Sequence, residues 1–502
     1  MPYTQTHLTM STPIWPLDNS YARLPEAFYA RVDPTPVAKP RLLRLNRALA
    51  EELGLPIDYL ESDEGVETLA GNRVLDEMDP IAMIYAGQQF GNWVPQLGDG
   101  RALLLGEVID RDGVRRDIQL KGAGPTPFSR NGDGRAALGP VIREYIVSEG
   151  MAGLGIPTTR ALAMVETGEL VYRERALPGA ILTRVARSHI RVGTFQYFMS
   201  RGDAEAIRTL ADHLIGRAFP TAANQANPYR GLLEEVIQRQ ADLIARWMGV
   251  GFIHGVMNTD NVSIVGETLD YGPCAFMDRY HPETVFSSID HQGRYAYRAQ
   301  PGIALWNLTR FAETLLPLLA SDQEESAEHA KEALAEFTPR FDASHGGEFR
   351  RKLGLLEATD TNDEIAVALL KTMAEQGADF TLTFRDLSNS EPGRPETMSE
   401  VRTRFDDPSA FDNWAKSWSR LLDAEARDPS DRRRDMRATN PAFIPRNHRV
   451  QQVIDAAEDG DLGPLDDLLK VVTQPFSDHA GLEHLAFAPE PNEVVQQTFC
   501  GT

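Results

Sequence analysis

The chain has 502 residues, of which 42% are hydrophobic and 25% charged, a composition typical of globular proteins and a length that excludes a single compact core. Its formal net charge of −22 argues against nucleic acid as a partner, because phosphate contacts need clustered Lys and Arg. No apolar run approaches the roughly 18 residues of a membrane-spanning helix, so we predict no membrane association. Two cysteines, and a first stretch of 22 residues without Lys or Arg, predict a cytoplasmic protein with no leader peptide and no disulfide framework.

The first part of the chain predicts an N-terminal extension and then a β-rich lobe. Residues 1–80 form the extension, in which the Leu spacing of residues 41–55 predicts a helix. The lobe covers residues 81–188 and contains two strand-like runs separated by Asp112-Gly113, a strong hairpin signal. A helix follows from about Gly139 to Gly153, and the last strands of the lobe turn at Gly168.

The second part of the chain is predicted to be helical. Residues 189–400 form a larger lobe, and residues 401–502 form a C-terminal extension with a tail that contains Cys500. Helical periodicity is present over residues 203–218, 227–249, 303–321, 324–336, 362–376 and 409–427, whereas 341–350 is predicted to be a loop. A small β-rich lobe followed by a larger helical lobe is the order of protein kinases, so we predict an α+β, kinase-like bilobal fold.

Residues 251–278 contain the most informative spacing. They predict a loop, a short strand at Val262–Val265 and a turn. When His254 is aligned with the His of the kinase pattern H-R-D-x-x-x-x-N, Asn261 falls on the metal-binding Asn, and Asp270-Tyr271-Gly272 falls on the D-F-G step. Asn and Asp oxygens are hard ligands that suit Mg²⁺ beside phosphate. These residue types also form ordinary turns, which is the alternative interpretation.

The position of the kinase catalytic base differs in this chain. It holds Val256, which cannot accept a proton, whereas Asp260 lies beside the predicted metal ligand Asn261 and could take a related role. Upstream, Lys121 ends a predicted strand and Glu144 lies on the following helix, as in the Lys–Glu pair that positions nucleotide phosphates in kinases. An exposed strand-end lysine and a solvated helix carboxylate are the alternatives for these two residues.

Arginine and glycine residues provide candidate phosphate contacts. Arg184, Arg187 and Arg191 lie where the chain passes between the predicted lobes, and guanidinium groups bind phosphate oxygens in pairs. Salt bridges between the lobes would use the same side chains. The glycines at positions 98, 100, 132 and 134 permit close backbone approach to a phosphate, or they form simple turns.

Together these motifs resemble the selenoprotein O family over nearly the whole chain. The matching segments are Tyr85–Gly91, Gln96–Arg101, Gln119–Gly124, Asp133–Arg135, Gly255–Asn261, Asp270–Pro273 and Asn440-Pro441. The resemblance implies a protein adenylyltransferase that moves AMP from ATP to Ser, Thr or Tyr hydroxyls of proteins, and UMP from UTP when Mn²⁺ is present. It also implies that ATP binds in the reverse orientation relative to kinases.

The resemblance implies roles for twelve residues of this chain. The nucleotide contacts are Gly98, Gly100, Arg101, Lys121, Asp133, Gly134, Arg184 and Arg191. Glu144 would pair with Lys121, Asp260 would accept the proton, and Asn261 and Asp270 would hold Mg²⁺ or Mn²⁺. A phosphotransferase and a nucleotide-binding pseudokinase scaffold without turnover remain the alternatives.

The C-terminal tail departs from the family pattern. Members named for selenium carry selenocysteine near the C-terminus, where this chain has Cys500. We therefore consider a reversible Cys274–Cys500 disulfide, the alternative being two unrelated thiols. The resemblance further implies redox-related acceptor proteins. Because no heptad seam is visible, we expect a monomer.

Overall fold

The chain folds into a mixed α+β protein with an antiparallel sheet in its N-terminal part and helices in its C-terminal part. The computed structural model describes residues 15–391, 394–425 and 427–495. The predicted α+β class and the order of its two parts are thereby confirmed. Among the described residues, no helix is long and apolar enough to cross a membrane.

The N-terminal part is built on an antiparallel sheet. Its strands, together with a separate small hairpin (β4 and β5), are β1 (Tyr29–Arg31), β2 (Arg41–Leu45), β3 (Ile81–Met83), β4 (Gly87–Gln89), β5 (Asn92–Val94), β6 (Ala102–Ile109), β7 (Arg115–Lys121), β8 (Ala136–Ala137), β9 (Arg160–Tyr172) and β10 (Ala176–Ala186). The helices of this part are α1 (Arg47–Glu52), α2 (Ile57–Leu60), α3 (Asp63–Leu69) and α4 (Leu138–Gly153). The strand order is β1-β3-β6-β7-β10-β9-β2, and β8 pairs with β10.

The register of the sheet places three polar side chains on one face. Lys121 at the end of β7 lies opposite Leu182 of β10, and Gln119 lies opposite Arg184. Residues two apart on a strand share a face, as do residues directly opposite on neighbouring strands. Gln119, Lys121 and Arg184 therefore face the same side, where α4 packs across β9 and β10.

Two local predictions in this part are wrong in detail. The predicted helix over residues 41–55 begins later, because residues 41–45 form β2 and pair with β9. Asn46 then begins α1, and its side chain accepts a hydrogen bond from the backbone N–H of Leu49. The predicted turn at Gly168 lies inside β9, where glycine adopts a φ of +72° without reversing the chain.

The C-terminal part is formed mainly by helices. These are α5 (Val192–Met199), α6 (Ala204–Ala218), α7 (Pro228–Gly249), α8 (Gln300–Leu319), α9 (Gln323–Ala335), α10 (Phe337–Lys352), α11 (Asp360–Glu375), α12 (Phe380–Leu387), α13 (Ser399–Arg402), α14 (Pro408–Ala424), α15 (Pro429–Thr439), α16 (Asn447–Glu458) and α17 (Gly463–Val472). A short pair of strands, β11 (Phe252–Ile253) and β12 (Ala275–Phe276), brackets the loop that contains the predicted metal ligands. Helices α16 and α17 pack against α4 in a hydrophobic cluster.

Two further predictions are corrected by these elements. The segment 341–350, predicted to be a loop, lies within α10. Its aromatic rings Phe337, Phe341, His345 and Phe349 recur every four residues and contact one another in sequence, which outweighs the poor helix propensity of its paired glycines. Val262–Val265 is not a strand, because only Ser263 forms a bridge, to Arg191.

A buried charge network joins the sheet to the helical part. The Nη1 atom of Arg217 on α6 lies 3.0 Å from Oε1 of Glu107 on β6, and its Nη2 donates to Asp117 on β7. The Nδ1 atom of His189 lies 3.0 Å from Oδ2 of Asp117. Burial lowers the pKa of His189 from 6.5 to about 4, and its Nε2 atom has no hydrogen-bond partner in the described part of the chain.

This network predicts an acid-dependent loss of stability. Because the folded state holds His189 neutral down to about pH 4, the unfolded state takes up the proton first as pH falls below 6.5. The contribution of His189 is therefore complete above pH 6.5 and is lost between pH 6.5 and 4. It amounts to about 3 kcal/mol at most, since a tenfold difference in proton affinity corresponds to roughly 1.4 kcal/mol.

We expect His189→Gln to flatten this dependence, measured as the denaturation midpoint at a series of pH values. The control is His484→Gln, since His484 is exposed and lies outside the network. Equal slopes for wild type and His189→Gln would contradict the assignment.

Candidate active site

A cavity of about 560 Å³ is lined by residues of both parts of the fold. All twelve predicted site residues line this cavity. They are Gly98, Gly100, Arg101, Lys121, Asp133, Gly134, Glu144, Arg184, Arg191, Asp260, Asn261 and Asp270. They come from the loop before β6, the end of β7, the loop before β8, helix α4, strand β10 and the segments around α5 and β11. Folding thus brings side chains that are distant in sequence to one place.

The carboxylate of Asp270 is the centre of this cavity. Its Oδ1 atom lies 3.1 Å from Nζ of Lys121 and 2.6 Å from Nη1 of Arg184, and its Oδ2 atom lies 3.0 Å from Nη1 of Arg191. Burial by itself would raise the pKa of this carboxyl group, but the three cations outweigh burial and hold the pKa well below its ordinary value. Asp270 is therefore ionised and tightly held.

The backbone around Asp270 is fixed from two sides. Asp270 has a φ of +63°, in the left-handed region that non-glycine residues rarely occupy. The Nε2 atom of His254 lies 2.9 Å from the carbonyl oxygen of Leu269, and Arg143 donates to the carbonyl oxygens of Gly272, at 3.2 Å, and Cys274, at 2.8 Å. Such an imposed conformation, held by surrounding contacts, is typical of functional sites.

Glu144 shares two of the cations that hold Asp270. Its Oε2 atom accepts a hydrogen bond from Nζ of Lys121 at 2.6 Å, and its Oε1 atom accepts from Nη1 of Arg184 at 3.1 Å. Burial would raise its pKa, but the charges of Lys121 and Arg184 outweigh burial and lower it. The four groups form an alternating cluster of charges in which each carboxylate compensates two or more cations.

Asp260 and Asn261 lie on a short helical turn opposite this cluster. The Oδ2 atom of Asp260 accepts from Nε2 of Gln89 at 3.0 Å, whereas its buried Oδ1 atom has no hydrogen-bond partner among the residues that the structure describes. Burial raises the pKa of Asp260. The side-chain amide nitrogen of Asn261 donates to the carbonyl oxygen of Val256 at 3.0 Å, so the side-chain amide oxygen of Asn261 takes no part in this hydrogen bond.

These oxygen atoms fit a divalent cation. The carboxylate of Asp270 and the amide oxygen of Asn261 line the same cavity. Mg²⁺ and Mn²⁺ prefer such hard oxygen ligands and commonly complete their coordination with phosphate oxygens and water. Among the described residues, no cluster of three or more His, Cys, Asp and Glu side chains offers a metal site made of protein alone.

Two glycines allow the cavity loops to approach closely. Gly98 has a φ of +93°, and a Cβ atom there would lie 2.6 Å from the ring of Phe128. Gly134 has a φ of +66°, and a Cβ atom there would lie 2.1 Å from the backbone of Gly124. The adjacent Asp133 is held by both terminal nitrogens of Arg173, at 2.8 and 3.0 Å. Only glycine fits these two positions without displacing the loops.

Sequence reasoning missed three residues that support the arginines. The Oε1 atom of Gln119 accepts from Nη2 and Nε of Arg184, at 2.6 and 3.1 Å, and its Nε2 atom donates to Asp99 at 3.3 Å. The guanidinium group of Arg191 lies 4.5 Å from the ring centre of Tyr85. The position of Gln119, two residues before Lys121 on the same strand, was the signal that could have identified it.

Two residues discussed from the sequence do not join the cavity. Arg187 is absent from its lining, and its backbone N–H donates to Oε2 of Glu267 at 2.9 Å. The side chain of Cys274 is buried, and Cys500 lies outside the described residues. The Cys274–Cys500 disulfide therefore stays a hypothesis.

Comparison with known proteins identifies the family. Residues 16–473 match the family described as protein adenylyltransferase SelO. A protein of Rhodopseudomonas palustris strain BisB18 is 61% identical over 489 residues, which cover 97% of this chain and 99% of the relative. A protein of Methylorubrum populi is 60% identical over 497 residues, which cover 98% and 100%. Both relatives are named protein nucleotidyltransferase YdiU. The chain therefore belongs to the SelO protein adenylyltransferase family and is an enzyme of the nucleotidyltransferase class.

Proposed function

We propose that this enzyme transfers AMP from ATP to Ser, Thr or Tyr hydroxyls of other proteins with the help of Mg²⁺ or Mn²⁺. The observation that carries the proposal is the convergence of Lys121, Arg184 and Arg191 on Asp270 in the cavity that Asn261 and Asp260 also line. Membership of the SelO family supports it. We further propose a cytoplasmic monomer, as the cysteine content and the lack of a visible heptad seam predict, whose acceptors include redox-related proteins, as the family resemblance implies.

The charge of the cavity supports a triphosphate as ligand. Eight cationic side chains and five carboxylates line it, although the whole chain carries a net charge of −22. Arg184 and Arg191 are 2% and 3% exposed, so phosphates that contact them would lie deepest in the cavity. With the terminal phosphates buried, the α-phosphate would lie nearer the mouth and an incoming acceptor. This arrangement supports the reversed orientation of ATP relative to kinases.

The proposed reaction is an in-line displacement at the α-phosphorus. The acceptor hydroxyl oxygen attacks this phosphorus, the bond to the bridging oxygen of the β-phosphate breaks, and pyrophosphate leaves. Asp260 would accept the hydroxyl proton; its Oδ1 atom has no hydrogen-bond partner among the described residues. Lys121, Arg184 and Arg191 would orient the phosphates and neutralise their charge. When bound, the divalent cation supplies further neutralisation of the phosphate charge.

A kinase-like bilobal arrangement is part of the proposal, with boundaries at residues 80, 188 and 400. It is supported by the ion pair between the last residue of β7 and helix α4, in the order found in kinases. Phosphoryl transfer is less well supported, because Val256 lines the cavity at the place of the kinase base and cannot accept a proton. A scaffold without turnover has no need of the paired oxygen donors Asn261 and Asp270.

Label transfer distinguishes these functions. We expect label from α-labelled ATP, and none from γ-labelled ATP, to appear on proteins of a cell lysate incubated with the enzyme and Mg²⁺ or Mn²⁺. Parallel incubations with α-labelled UTP and Mn²⁺ test UMP transfer. Asp270→Ala should abolish transfer but retain ATP binding, because the variant removes a carboxylate and leaves the cations that bind phosphate.

The control for this experiment is Asp58→Asn, since Asp58 is an exposed carboxylate on α2 that does not line the cavity. It should transfer label at the wild-type rate. Label from the γ position alone would establish a kinase and overturn the reversed orientation. If ATP binds but label is transferred from neither position, the result would establish a nucleotide-binding scaffold without turnover.

The roles of Asp260 and Asn261 are separable by kinetics. We expect Asp260→Asn to lower kcat for AMP transfer by about 10²–10⁴-fold with little change in KM for ATP, because a general base contributes on that scale. Asn261→Ala should lower activity further and shift the dependence on Mg²⁺ or Mn²⁺ to higher concentration. A full loss of activity in Asp260→Asn together with near wild-type activity in Asn261→Ala would reverse the proposed roles.

A further inference from the structure

A second cavity, of about 320 Å³, shares no lining residue with the candidate active-site cavity described above, which we call the nucleotide cavity. It is formed where α7, α10 and α15 end and where the chain leaves α4. Its size is at the lower end of the range of small-molecule sites, roughly 300–1,000 Å³. We call it the α7–α10 cavity.

The α7–α10 cavity contains a buried lysine. Lys352, the last residue of α10, is 2% exposed, and its Nζ atom lies 4.4 Å from the ring centre of Phe384 and 5.6 Å from that of Phe380. Within the described residues its amine makes no hydrogen bond and no ion pair. Burial lowers the pKa of Lys352 to about 7. The rings favour a cation, but they offer no acceptor oxygen to its N–H groups.

Two arginines share the cavity with Lys352. Arg246 and Arg351 are exposed residues that line it, together with one carboxylate, Glu348. The Oε1 atom of Glu348 is bound to Nη2 of Arg351 at 2.6 Å, and Nη1 of Arg246 donates to the carbonyl oxygen of Gly155 at 3.2 Å. The C-terminal ends of α7 and α10 carry partial negative charge, which stabilises these cations and disfavours an anion, so the cations must outweigh the helix dipoles for phosphate to bind. Three cations thus face a single carboxylate that is already paired.

We propose that the α7–α10 cavity binds the phosphate group of a small metabolite, as free phosphate or as a phosphate monoester. The amine of Lys352 and the guanidinium groups of Arg246 and Arg351, three residues that line the cavity, would donate to the phosphate. Guanidinium and ammonium groups bind phosphate oxygens through charge-assisted hydrogen bonds. The cavity is larger than one phosphate ion, which leaves space for the organic part of a monoester. This site does not depend on the proposed function.

The test compares thermal unfolding of the wild type, Lys352→Met and Lys371→Met. Lys371 is the matched control, because its side chain is 76% exposed on α11 and lies outside both cavities. Inorganic phosphate and glycerol 3-phosphate are added separately, with sodium chloride at equal ionic strength as the reference. Phosphate that enters the nucleotide cavity affects all three proteins alike, so the difference between them reports on Lys352 alone.

We expect a saturating phosphate compound to raise the Tm of wild type and Lys371→Met by roughly 1–3 °C, and that of Lys352→Met clearly less. A larger rise with glycerol 3-phosphate than with phosphate would identify a monoester as the ligand, and equal rises would identify free phosphate. Equal rises in the Tm of wild type and Lys352→Met would overturn the proposed site. The charge of Lys352 would then be stabilised by the aromatic rings and the helix dipoles without a bound phosphate.

A second pair of variants covers the case in which Lys352→Met does not fold. Arg246→Gln changes an exposed residue at the rim, and Arg420→Gln changes an exposed arginine on α14 outside the cavity. We expect the phosphate-dependent rise in Tm to fall in Arg246→Gln and to stay at the wild-type value in Arg420→Gln. An unchanged rise in Arg246→Gln would likewise overturn the site.

Discussion

The contact between one carboxylate, that of Asp270, and three cations determines how the parts of this protein meet. Lys121 comes from the end of β7, Arg184 from β10 and Arg191 from the residue before α5. All of these groups are largely removed from water, and an unpaired charge in such a place is costly. The sheet, α4 and the loop between β11 and β12 must therefore keep their relative positions, because a shift of any one of them would leave a buried charge without its partner.

We expect the same cluster to determine how strongly a nucleotide binds. In the structure each of these three cations already has a carboxylate partner, Glu144 or Asp270, before a ligand enters. In the proposed function a triphosphate would compete with these carboxylates for Lys121, Arg184 and Arg191, and its binding free energy would be the difference between two sets of ion pairs. Gln119 matters in this exchange, since it holds one edge of the Arg184 guanidinium group while the other edge changes partner.

Local sequence signals predicted the residues of the candidate site and much of the secondary structure. The order of Lys121, Glu144, Asn261 and Asp270 predicted a nucleotide and metal site because it matches the order of kinase motifs, and the structure brings these residues to one cavity. The helix that became α7 was visible from its periodicity and from Asn227 and Pro228 at its start. The local pattern failed where tertiary contacts outweighed propensity, as in α10, whose aromatic rings pack along one face despite Gly346 and Gly347.

By itself the sequence determined which charged and amide side chains this protein possesses, in which order they occur, and which family it belongs to. Only the tertiary structure decided which of them touch. Asp270 meets Lys121 across 149 residues of chain and meets Arg184 and Arg191 across 86 and 79 residues. Spacing could not separate Arg191, which reaches Asp270, from Arg187, which does not line the cavity. Such contacts depend on strand register and helix packing, to which the burial of the whole core contributes, so the spacing of the charged residues alone does not predict them.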